Sequence, residues 1–254
     1  MSALVPIVAA GLAYAWCLDR ARQRGRRFPP AKVVAFAAGL AVLAASLCGP
    51  LDDLADDSLA WHMLQHLLLI GVVAPLLLFG APLRLVLAAL DPRGGSAFAW
   101  LLKSPAGRIL SHPAFAWLQF AFVLYGIHFS PLYEAALEHP AVHDLEHVLF
   151  LGSALLFWSP LLAVAPAPHA PPYPVRVLLL FLALPMSAFL GFIFYVAAHP
   201  LYVHYTAQPG ALEDQARAGL VMWIGGGLPL FAALLWCVAD WGTRERRLAA
   251  YDEA

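Results

Sequence analysis

Charge is scarce in this chain: Asp, Glu, Lys and Arg make up 12% of its 254 residues, against about 25% in soluble domains. That scarcity excludes a water-soluble domain. Hydrophobic residues at 62% and a mean hydropathy of +0.74 leave an integral membrane protein surrounded by a lipid bilayer. Cysteine is scarce too. Cys17, Cys48 and Cys237 show neither metal-ligand nor disulfide spacing, which excludes a disulfide framework. No polar stretch is long enough to fold alone, and there is no internal repeat, so residues 1–254 read as a single transmembrane domain. At a net charge of −1, no nucleic-acid partner is expected.

A spanning helix needs about 20 mostly apolar residues. Seven runs meet that need, approximately 2–18, 33–51, 59–79, 113–129, 146–165, 175–198 and 219–239. The expected fold is all-α, a polytopic bundle of seven transmembrane helices. Positive charge follows the first run instead of preceding it, so that run reads as an uncleaved anchor and not as a signal peptide. The basic residues Arg20 to Lys32 set the first loop in the cytoplasm and the N-terminus outside. Alternating the spans from there puts 14 of the 15 Lys and Arg on the cytoplasmic side, with Arg217 the exception, and the C-terminus cytoplasmic. Residues 81–112 are expected to hold two short apolar pieces along the membrane surface, and Pro166 to Pro174 an extended connection. Pro75, Pro160, Pro185 and Pro229 are expected to mark bends, and Gly225-Gly226-Gly227 a close helix approach or a local irregularity.

Histidine has the opposite bias, with eight of ten at or near the outer face and only His112 and His169 near the inner one. The outer loops are also acidic, at Asp52, Asp53, Asp56 and Asp57 and again at Glu134, Glu138, Asp144, Glu213 and Asp214, a surface that attracts cations. Two pairs stand out: His62 with His66, and His143 with His147, each one helical turn apart at the start of an apolar run. A helix puts residues i and i+4 on one face, so each pair can address one centre. Polar groups inside a bilayer are costly and tend to mark sites, and the four histidines therefore read as metal ligands. Imidazole alone suits copper, zinc, iron or nickel. Met63 and Met222 would add thioethers that favour Cu(I), while Glu146 and Cys48 are further candidates beside the four.

Three classes fit such a constellation. One is a metal carrier that is not an enzyme. Another is a zinc metallopeptidase, since His143-Asp144-Leu145-Glu146-His147 matches H-x-x-E-H, in which the glutamate is the general base. The third is a haem-binding electron carrier with one axial histidine from each of two helices.

The sequence resembles the CtaG family of seven-helix cytochrome c oxidase assembly factors. The resemblance lies in His62 to Leu69, Ala74-Pro75-Leu76-Leu77-Leu78, Gly80-Ala81-Pro82, Ser130 to Leu137, the His143 to His147 pair, Phe157-Trp158-Ser159-Pro160, Asp214-Gln215 and Met222 to Gly226. Gly227 stands where the family often has an acidic residue, so no carboxylate is available there. The resemblance implies a multi-pass protein of the bacterial plasma (inner) membrane whose partners are cytochrome c oxidase subunits. It implies copper as the metal delivered, with zinc the alternative.

Overall fold

The computed structural model describes residues 3–164 and 170–252. Pro166, Pro168 and His169 of the expected proline-rich connection lie outside the described residues. In chain order the elements are α1 (Leu4–Gln23), α2 (Pro30–Leu47), α3 (Pro50–Asp57), α4 (Leu59–Leu68), α5 (Ala74–Phe79), α6 (Pro82–Ala89), α7 (Pro92–Lys103) and α8 (Pro105–Leu110). They continue with α9 (Pro113–His128), α10 (Pro131–Glu138), α11 (Pro140–Leu162), α12 (Tyr173–Val196), α13 (Val203–Thr206), α14 (Ala211–Leu220) and α15 (Gly226–Asp252). Two π turns, Leu69–Val73 and Val221–Gly225, join α4 to α5 and α14 to α15. Among the described residues there is no strand. Among the described residues six helical stretches are long and apolar enough to cross a membrane, Leu59–Ala89 and Ala211–Ala250 each counted as one, and a seventh span results if α9 and α10, bent by 65° at their junction, are one.

Proline does much of the punctuation. Pro30, Pro50, Pro82, Pro92, Pro105, Pro113, Pro131 and Pro140 each occupy the first position of a helix, where a missing N–H costs nothing because that group has no partner in the helix. This moves several expected boundaries. The acidic stretch at Asp52 to Asp57 is a helix, not a loop. The fifth span begins at Pro140 instead of 146, which puts both His143 and His147 inside the first two turns of α11. The first span runs past Leu18 to Gln23, because Arg20 and Arg22 suit a helix C-terminus. Residues 82–110 form three short helices where two apolar pieces were expected.

Neither π turn was expected, and each sits just before a proline, Pro75 or Pro229. A proline has no N–H to give and its ring crowds the carbonyl a turn earlier. Widening the turn relieves the crowding, and neighbouring helices supply donors. The Trp158 indole donates to the Ile70 carbonyl at 2.8 Å, and the Ser187 hydroxyl to the Met222 carbonyl at 2.7 Å. The first π turn packs against the start of α15: a Cβ on Gly71 would lie 2.7 Å from Cγ of Pro229. Gly226 is required where Ser187 approaches, so the glycine triplet permits the close contact expected of it.

The main core joins α4, α9, α11, α12 and the α14–α15 unit through Phe150, Phe157, Trp158, Leu190 and Phe194, while α1, α2 and α6 pack in two smaller clusters. The α12–α14 crossing is made by Gly191 and Gly219, where a Cβ on Gly219 would stand 2.7 Å from the Tyr195 nitrogen. Side chains such as Phe122, Phe181 and Leu228 are exposed on the outside of the bundle, as lipid contact requires. The four sequence-paired histidines lie at one end of the bundle, near the starts of α4 and α11. The last turns of α1 and α11 and the first turns of α2 and α12 lie at the other. Arg217, the exception to the basic bias, is on the histidine end and pairs with Glu213 at 3.6 Å.

Candidate metal centre

Two backbone devices fix the first pair. Ser58 caps α4, its hydroxyl accepting from the Trp61 N–H at 3.4 Å and donating to Asp214 Oδ1 at 2.8 Å. The other oxygen of Asp214 accepts from the Ala60 N–H at 3.4 Å, so α14 holds the start of α4. Gln65, between the histidines, donates to the Ser46 carbonyl at 2.8 Å and to Asp52 at 2.9 Å, tying α4 to the end of α2 and to α3. Gln215 and Glu134 act similarly on the far side. Gln215 accepts from the Leu201 N–H at 2.7 Å, and Glu134 from the Val203 and His204 N–H groups at 3.1 and 2.7 Å. These polar residues brace backbone.

On that frame the two pairs face each other. His62 and His143 rings are 5.1 Å apart between centroids, His66 and His147 5.5 Å. The Nε2 atoms of His62 and His66 approach to 3.1 Å, and Glu146 Oε2 lies 3.6 Å from each. One donor atom from each of His62, His66, His143 and Glu146 falls within 4.8 Å of the others. Glu146 thus stands in the tight group, and His147, which spacing alone had made an equal ligand, borders it with its ring 4.3 Å from that of His143.

The donors of His62, His66 and Glu146 are spaced for a first-row ion, and that of His143 lies within 4.8 Å of them. With imidazole nitrogens at about 2.0–2.1 Å from a metal such as zinc, a separation of 3.1 Å between two of them corresponds to an angle near 100° at the ion, and 3.6 Å to about 120°. Both lie within the range of four-coordinate sites. The polar accounting agrees. Among the described residues His143 Nε2, His147 Nε2 and both oxygens of Glu146 are buried with no hydrogen-bond partner, an arrangement costly in a bilayer unless a cation is shared.

Neighbouring groups set which nitrogen of each ring is free. His62 Nδ1 is 3.5 Å from the Tyr205 oxygen, whose hydroxyl donates to the Ala55 carbonyl at 3.3 Å. Since a hydroxyl donates once, the contact requires N–H on Nδ1 of His62 and leaves Nε2 bare toward the centre. Burial, with the carboxylates of Asp214 and Asp56, pushes the Tyr205 phenol well up, so it keeps its proton. His128, at the end of α9, is a residue the spacing argument passed over. Its Nδ1 donates to the Leu124 carbonyl at 2.6 Å, its Nε2 is bare and buried, and its ring is 6.5 Å from that of His66. A single histidine before a turn carries no i,i+4 signal. The buried Tyr133 ring, 5.4 Å from His62, was missed for the same reason.

Two sulfurs go elsewhere: Met63 is fully buried in the main core, and Met222 lines a small apolar cavity between the π turns. Cys48, at the end of α2, is exposed and outside the group. A cavity of about 570 Å³ leads to the group, walled by His62, His143 and His147 together with Asp52, Asp56, Asp57, Glu138 and Asp144. Such a wall concentrates cations at the histidines.

A family model described as cytochrome c oxidase caa3 assembly factor matches residues 12–244. The chain belongs to the cytochrome c oxidase caa3 assembly factor family. Together with its apolar helices, membership makes it a multi-pass bacterial membrane protein. Curated relatives are uncharacterized proteins of Mycobacterium bovis and Mycobacterium tuberculosis, each 26% identical over 97% of this chain, and one of Mycobacterium leprae, 24% identical over the same share. The chain spans 39% of the length of these relatives. No solved structure matches it. Several of the motifs that suggested this family in the sequence are scaffold here: Asp214-Gln215 and Glu134 hold backbone, and Trp158 caps a π turn.

Proposed function

We propose that the chain takes up copper as cargo at His62, His66, His143 and Glu146 and passes it to a cytochrome c oxidase during assembly. The observation that carries the reading is the convergence of three ring nitrogens and a carboxylate within 4.8 Å at the mouth of an acidic cavity. Family membership supplies the recipient. Among divalent first-row ions, nitrogen and oxygen sites favour copper, and a donor set of three imidazoles and a carboxylate suits Cu(II) more than the thioether-assisted Cu(I) expected from Met63 and Met222. His147 and His128, bordering the group with bare nitrogens, offer stepping positions for an ion that must also leave. The whole chain, as one transmembrane domain, serves this transfer at the outer face of the bacterial plasma membrane.

The peptidase alternative requires Glu146 to stand off the metal as a base while His143 and His147 bind it. Instead Glu146 lies against the first pair, which a peptidase leaves idle. A haem would need its plane between facing rings, and the group within 4.8 Å leaves no room for one.

The test is oxidase activity and copper content in membranes of cells grown at limiting copper. His62→Ala and Glu146→Gln should both bring oxidase activity to the background of a deletion strain, with His147→Ala milder. Retained metal in Glu146→Gln beside a tolerated His62→Ala would replace delivery by a hydrolase. Tyr205→Phe probes the outer support of the site. Loss of such a partner costs a metal site 10–100-fold in affinity, and chelator competition should read a drop of that order. An unchanged affinity would mean that something other than Tyr205 orients His62.

A further inference from the structure

The opposite end of the bundle holds a second cavity, about 930 Å³, between α2, α5, α12 and α15. Lys32, Arg176 and Arg244 line it with the carboxylates of Asp240 and Glu245, together with Tyr173, Trp236 and the apolar Leu162. Arg176 is the unusual member: it is 4% exposed, near the start of an apolar helix. Part of its role is structural. Its Nε donates to the Leu161 carbonyl at 2.7 Å, answering one of the carbonyls that the last turn of α11 leaves without an intrahelical donor. Among the described residues its Nη2, however, is buried with no partner, and burying an unpaired donor of a permanent cation is costly.

A second observation points the same way. The guanidinium carbons of Arg176 and Arg244 lie 4.9 and 6.0 Å from the centroid of the one Tyr173 ring. Two guanidiniums gathered on one ring repel each other. The two carboxylates in the wall accept from neutral donors, Asp240 from the Tyr173 hydroxyl at 2.6 Å and Glu245 from the Trp241 indole at 3.0 Å, so three cations face two carboxylates and the wall keeps an excess of positive charge. The Lys32 ammonium donates to the Phe79 carbonyl at 3.5 Å.

We propose that this cavity binds the phosphodiester headgroup of an anionic phospholipid, with the Arg176 and Arg244 guanidiniums as its main donors and Lys32 at the rim. Guanidinium forks match phosphate oxygens in pairs, and basic pockets between membrane helices are suited to acidic headgroups. The shared chemistry is a phosphoryl anion, which a free phosphate could also offer. The apolar and aromatic part of the wall favours the lipid, since Trp236 and Leu162 would meet its glycerol and acyl portion.

The test is native mass spectrometry of the full chain released from nanodiscs of equimolar phosphatidylglycerol and phosphatidylcholine. The wild type should retain one phosphatidylglycerol, at least tenfold over phosphatidylcholine, and 10 mM inorganic phosphate should not displace it. Arg176→Gln should lose that preference. Because Arg176 also caps α11, Arg244→Gln, at an exposed position, is the second arm and should weaken retention several-fold. Arg247→Gln, on the same helix but off the cavity wall, should leave it unchanged. Equal retention of both lipids by the wild type, displacement by phosphate, or an equal loss in Arg247→Gln would overturn the proposal. None of these outcomes bears on the histidine end.

Discussion

Replacing His62 and His66 together by alanine should reduce bound copper from one ion per chain to background in protein purified from copper-supplemented membranes. The two rings supply the closest donor pair of the group, 3.1 Å between nitrogens, and each faces Glu146 at 3.6 Å. Loss of an outer hydrogen-bond partner already costs a metal site 10–100-fold, so loss of two ligands should take affinity below what survives purification. Cys48→Ser, at an exposed position outside the group, controls for handling and should bind as the wild type does. Copper retained at one ion per chain in the double variant would move the site away from α4.

The second large effect concerns orientation, for which the distribution of basic residues argues. Asp56 and Cys48 share the histidine end, and Arg246 lies at the far end of α15. With 14 of 15 basic residues assigned to the cytoplasmic side, the histidine end should face outward. In intact cells an impermeant thiol reagent should label the native Cys48. In a Cys48→Ser background it should label Asp56→Cys and not Arg246→Cys until the membrane is opened. Labelling of Arg246→Cys alone would invert the bundle and place the acidic cavity in the cytoplasm, where it could not receive an ion from outside.

What could be read in advance depended on range. The i,i+4 spacing of His62 with His66 and of His143 with His147 is local, and it survives in the structure because a helix fixes it. The apolar runs likewise set the helices. The choice between Glu146 and His147 was not local: it depends on the rotation of α11 against α4, which is set by Phe150, Phe157 and Trp158 packing in the core. His128 and Tyr205 reach the site from segments distant in sequence, and nothing in their own neighbourhoods marks them. The bends show the same limit. Pro75 and Pro229 signal a disturbance, yet its form as a π turn follows from the donors available nearby, the Trp158 indole and the Ser187 hydroxyl. Arg176 looked in sequence like one more cytoplasmic charge, and only the fold buries it beneath Tyr173.

The central claim is that three imidazoles and one buried carboxylate hold copper, and X-ray absorption at the copper edge of the loaded protein addresses it directly. The account predicts nitrogen and oxygen neighbours only, at about 2.0 Å as imidazole ligation requires, with outer-ring scattering from three imidazoles that falls to two in His143→Ala. A sulfur neighbour at about 2.3 Å, the distance of a metal–thiolate bond, would contradict it and return the site to the cysteine or methionine ligands that the structure sets apart.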